Sequence, residues 1–121
     1  MSRQDVRDAF AAAIRSAVPG VEVFSTRVVN AGTRPQYFCV FMDGGDIRHD
    51  MSGVTRETRT EVFVKYSKLN ATDEELDGVM ELAHTAIMAS TGMGKPLLTR
   101  FDYDMDGEAH MSLVFTYSTM F

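Results

Sequence analysis

The chain has 121 residues, the size of one domain, and can bury about two-thirds of its unfolded surface in a real core. Its 45% hydrophobic and 24% charged residues are ordinary for a globular domain, and no apolar run approaches the roughly 20 residues of a membrane span. A net charge of −5 without any basic stripe argues against binding to a phosphate backbone, which needs clustered Lys and Arg to displace counterions. Arg3, Asp5, Arg7 and Asp8 interrupt the segment where a secretory signal would be apolar, so a cytoplasmic start is expected.

Ser2 and Asp5 have capping-box spacing, and Val6, Phe10, Ala13, Ile14 and Ala17 follow at helical intervals until Pro19-Gly20. Val21 to Phe24 reads as a short strand, while Ser25 to Arg34 is mixed around an Asn30-Ala31-Gly32 turn signal. Pro35 leads into the apolar run 37–42, with Tyr37, Cys39 and Phe41 on one face and Phe38, Val40 and Met42 on the other. Both faces call for cover. Cys39 is the single cysteine, which excludes an intramolecular disulfide and a thiolate zinc cluster. Its apolar neighbours read it as a packed core thiol rather than a nucleophile.

Asp43 to Thr55, with glycines at 44, 45 and 53, reads as a long connection carrying Ile47, Met51 and Val54 among charges. From Arg56 to Tyr66 a strand alternates, with Thr58, Thr60, Val62, Val64 and Tyr66 on one face and Glu57, Arg59, Glu61 and Lys65 on the other. Phe63 is out of place on that polar face. At about 35 Å the strand is longer than usual, so part of it is expected to overhang the core.

A helix from about Thr72 to Ser90 starts with a second capping-box pattern, Thr72 and Glu75, and buries a stripe of Leu76, Val79, Met80, Ala83, Ile87 and Ser90. Leu97 to Tyr103 and Ala109 to Thr119 read as two strands joined through Asp104-Met105-Asp106-Gly107. The resulting expectation is one α+β domain over residues 1–121, in the order α-β-β-β-α-β-β. Its mixed or antiparallel sheet carries two helices packed on one face. The opposite sheet face is then left for another subunit to cover.

Two fragments of ligand motifs fail on inspection. Asp102, Asp104, Asp106 and Gly107 match the first half of a calcium loop, but Leu113 stands where a bidentate glutamate belongs and the flanks read as strands. Gly92-Met93-Gly94-Lys95 lacks the first glycine of a phosphate-binding loop, has Pro96 in place of the magnesium hydroxyl, and follows a helix instead of opening one. His49, His84 and His110 share no metal-ligand spacing, and no nucleophile elbow accompanies the Ser, His and Asp residues. The sequence therefore calls for no catalytic residues, no metal and no cofactor.

The N-terminal helix, RPQYFCVFMDGG, TRTEVFVKY, TDEELDGVMELAHTAI and the closing DYDMDGEAHMSLVFTYS together resemble the tail terminator proteins of long-tailed bacteriophages. These are the minor tail protein U family of lambda-like phages. The likeness runs over nearly the whole chain and rests on order, spacing and length. It implies a structural virion protein of a siphovirus-type tail, assembled in the host cytoplasm and located at the head-proximal end. There a ring of copies, usually a hexamer, caps the tail tube, terminates its polymerisation and offers the head-joining surface. The implied partners are the chain itself, the tail-tube protein and a head-completion protein, with DNA passing through the lumen without specific binding and no membrane contact. An acidic balance suits that passage.

The residues themselves nominate Ile47, Arg48, His49, Met51 and Val54 in the connection, and Phe63 on the charged strand face, as interface candidates. Two other functions remain open at this level: a head-tail connector or tail-completion protein, and a small-ligand binding domain or enzyme. Thermal melts test the failed motifs. A ligand at 100 times its dissociation constant adds about 2.7 kcal/mol, so calcium and ATP at millimolar concentration should each leave the melting temperature unchanged.

Overall fold

Helix α1 spans Arg3–Ala17 and starts where Ser2 and Asp5 close their capping box. Ser2 N–H donates to Asp5 Oδ2 at 2.8 Å, and Asp5 N–H donates to Ser2 Oγ at 3.1 Å. The Ser2 backbone N–H first, and the Ser2 side chain after it, hold the Asp5 carboxyl below its ordinary pKa. The computed structural model describes residues 2–27, 35–49, 51, 53, 55–90, 96–104 and 109–120. After α1 come β1 (Glu22–Phe24), β2 (Gln36–His49), β3 (Thr55–Lys68), α2 (Asp73–Ala89), β4 (Leu97–Asp104) and β5 (Ala109–Met120). The order is the one expected from the sequence.

The five strands form one mixed sheet in the order β1-β2-β3-β5-β4. Only β1 and β2 run parallel, and the other three pairings are antiparallel. Strand period 2 divides the residues between two faces. Phe38 and Val40 of β2, Val62, Val64 and Tyr66 of β3, and Met111, Leu113 and Phe115 of β5 form one core with Val6, Phe10, Ala11 and Ile14 of α1 and Leu76, Met80, Ala83 and Ile87 of α2. Phe10 meets Phe115 edge-on at 5.4 Å, which ties α1 to the centre of the sheet. Arg15 Nη2 donates to the Val23 carbonyl at 2.7 Å and ties the same helix to its edge. Tyr66 donates to Gln36 Oε1 at 2.7 Å, so its hydroxyl is satisfied, and burial raises its pKa.

Three expectations need correction. Asp43 to Thr55 is not a long connection: β2 continues to His49 and β3 begins at Thr55, paired from Gly45 opposite Thr60 to His49 opposite Thr55. Glycine and aspartate have low strand propensity, but a full ladder along β3 outweighs it, and the irregularity is absorbed by register shifts at Met42/Gly45 and Asp46/Ile47. Gly44 at φ 126° and Gly53 at φ 85° take backbone conformations that side chains disfavour. The second capping box is half formed. Thr72 Oγ1 accepts from Glu75 N–H at 3.2 Å, but the Glu75 carboxylate accepts from Lys68 Nζ at 2.9 Å instead of folding back. Cys39 is buried, yet it lies on the sheet face away from the helices and outside their core.

Strands of 14 residues extend about 46 Å, whereas the 17 residues of α2 reach only about 25 Å. Helix cover ends near Met42 and Thr60, and β2, β3 and the end of β5 continue past it as a three-stranded projection. The overhang expected of the Arg56 strand is thus present and is shared by its neighbours. Replacing the fully buried Phe10 by alanine should cost about 3–5 kcal/mol, while Leu82→Ala on the exposed side of α2 should stay within about 0.5 kcal/mol, as read from urea denaturation.

Candidate assembly surface

Register on the helix-free face aligns four residues into one row across the sheet: Phe41 opposite Phe63, Phe63 opposite Val114, and Val114 opposite Arg100. The Phe41 and Phe63 rings stack with centroids 5.1 Å apart and planes 2° from parallel. Arg27, just beyond β1, sets its guanidinium 4.4 Å from the Phe41 ring, and Arg100 approaches the Phe63 ring to 5.8 Å from the other side. Arg100 Nε also donates to Asp102 Oδ2 at 2.9 Å, which aims the guanidinium along the sheet. The row reads cation, ring, ring, aliphatic, cation.

Its chemistry is that of a contact surface. Aromatic rings offer a large apolar area, and arginines laid over them attract the ring faces while covering apolar neighbours with their stems. Val114 is fully buried and stands between Phe63 and Arg100 in the row. Tyr37 and Cys39 are also buried here, with Phe24 edge-on to Tyr37 at 6.3 Å. Phe41 and Phe63 remain half-buried. A partner surface would complete their burial.

Of the six candidates read from the sequence, Phe63 sits at the centre of this row. Ile47 and Arg48 have backbone places in β2, opposite Glu57 and Arg56, and exposed His49 ends the strand opposite Thr55. Met51 is fully exposed in the turn beyond, and Val54 lies outside the described residues. The hairpin tip and Phe63 are not brought together. Thr55 precedes Phe63 by eight residues, or roughly 26 Å of strand. The sequence reading missed Phe41, Val114, Arg27 and Arg100, since only the pairing register shows that they share a row. Gly92 to Lys95 and Met105 to Glu108 lie outside the described residues.

Fold and surface together define a two-layer α+β domain, with helices on one sheet face and an aromatic-cationic row on the other. No family model matches the chain, and no curated protein matches it. Among solved structures, a chain in the virion of a native gene transfer agent particle has the same fold, with a TM-score of 0.62. The alignment covers 99% of this chain and 96% of that one at 11% identity. Such a likeness is one of fold.

The row is testable by a double-mutant cycle. Arg27→Ala and Phe41→Leu should each destabilise modestly and show a coupling of about 0.5–1 kcal/mol in urea denaturation. Strictly additive effects would remove the guanidinium-ring contact from the account.

Proposed function

We propose that the protein is a structural virion component that forms a ring at the head-proximal end of a phage tail, capping the tube and ending its polymerisation. The observation that carries this reading is the near full-length likeness of fold to a chain of the gene transfer agent virion, which supports a structural virion role, while the tail-terminator part rests on the sequence resemblance. The geometry supports an assembly role. Half-buried rings on the helix-free face suit subunit contact, and the projection beyond the helices suits reaching an adjacent ring.

In this reading the domain is not an enzyme and works without a cofactor. Its contacts are with its own copies, six to a ring, with the tail-tube protein on one side and a head-completion protein on the other. A heterologous interface left open propagates a tube indefinitely. A terminator must therefore satisfy the growing end while turning a different surface outward. The hairpin of β2 and β3 is the tube-facing element, and the outer sheet face packs between copies.

Electron microscopy of tail-tube subunits polymerising with and without this protein tests the proposal. The protein should bind one tube end and shorten the tubes in proportion to its concentration. Replacing Ile47, Met51 and Val54 together by serine should weaken capping while circular dichroism stays unchanged, because Ile47 and Met51 lie beyond the helix-covered core. Tube lengths indifferent to the parent protein would defeat the capping role. A triple variant that caps as well as the parent would remove only the hairpin from it.

A further inference from the structure

On the helix side of the sheet, β4 forms an edge whose outer side pairs with no other strand among the described residues. Its Phe101 and Tyr103 are 59% and 42% exposed and meet edge-on at 5.8 Å. They stand opposite Leu113 and Met111 of β5, on the face that α2 covers. Across from them Asp77, Glu81, His84 and Met88 recur at spacings of four, three and four, which sets them on one stripe of α2. Tyr103 donates its hydroxyl to Asp77, bridging strand and helix and raising the tyrosine pKa. Between α2 and β5, inside the edge strand β4, lies a cavity of about 180 Å³, floored by Met80, Met111 and Leu113 and rimmed by Asp77, Glu81 and His84.

Charge and size select the occupant. Asp73, Glu74, Glu75, Asp77 and Glu81 put five acidic residues on α2, which has no lysine or arginine. Among the described residues no lysine or arginine pairs with Asp77 or Glu81. A cavity of about 180 Å³ falls below the roughly 300–1,000 Å³ of small-molecule sites, but it suits one long side chain. An aliphatic stem would lie on Met80, Met111 and Leu113 while its cationic head met the two carboxylates. The free edge of β4 supplies main-chain groups for an extended backbone.

We propose that this edge binds an extended basic-apolar segment of a partner protein as a sixth strand. Its lysines or arginines reach over β4 into the cavity between α2 and β5. This interaction is additional to tube capping and does not depend on it.

The probe is a fluorescent peptide of eight residues, the length of β4, alternating lysine and valine, titrated with the full chain by anisotropy. Binding should occur, weaken with salt, and fall about tenfold when Asp77→Asn and Glu81→Gln are combined. The pair Asp8→Asn and Glu22→Gln removes the same charge near the opposite edge and should leave affinity nearly unchanged. N-methylation of alternate peptide residues should abolish binding in one phase and spare it in the other, since a strand uses its two edges alternately. Absence of binding, equal binding of a glutamate-valine peptide, or equal losses in the two charge pairs would overturn the proposal. So would indifference to N-methylation in both phases.

Discussion

The central strand β3 is the member on which the other parts of the molecule depend, because it is hydrogen-bonded on both sides over nearly its whole length. On one face its Val62, Val64 and Tyr66 carry the helices, and on the other its Phe63 anchors the cross-sheet row. A slip of one residue in its register would exchange these faces, sending valines outward and Phe63, Lys65 and Glu61 under the helices. Burying Lys65 and Glu61 without partners carries a heavy penalty, so register is enforced by the cost of the alternative as well as by the core. The same strand holds the projection in line, since β2 and β5 continue along its two edges past the last helix contact.

The projection needs that support on both sides. An isolated two-stranded ribbon is marginal in water, and this one contains glycines and two register shifts. Pairing of Arg56 and Glu57 with Met120 and Thr119 makes it three-stranded close to the tip. Its backbone groups are thereby paired beyond the last helix contact among the described residues. Bulges increase local twist, and both register shifts of β2 against β3 fall in this part of the strand.

Much of this was legible in the sequence, and the failures have physical causes. The helices were readable because Val6, Phe10 and Ile14, and Leu76, Met80, Ala83 and Ile87, fall on single faces behind good N-caps. Element order followed from the alternation around Val62, Val64 and Tyr66 and from the spacing of the closing strands. The continuation of β2 was hidden because Asp43-Gly44-Gly45-Asp46 carries breaker residues, and the ladder that overrides them is a tertiary fact. Glu75 had the spacing of a capping box, but Lys68 offers it a full opposite charge, a choice local spacing does not reveal. Phe63 was conspicuous as an aromatic among charges. Its partner Phe41 was not, since it sits in a run where every residue is apolar and only pairing separates the faces.

The two sides of the domain differ in charge as well as in composition. The five acidic residues of α2 match the excess for the entire chain, so the remaining residues carry as many basic as acidic groups. On the outer face the prominent cations are Arg27 and Arg100, each laid over a ring. Mutual repulsion between acidic helices would oppose packing two copies through α2, whereas the ring row carries no comparable penalty. The helix layer is therefore the side that resists close approach to the same layer of another copy or to a polyanion. The outer sheet face is the side on which additional burial is least opposed, and arginines already resting on apolar groups would lose little hydration when a neighbour closes over them.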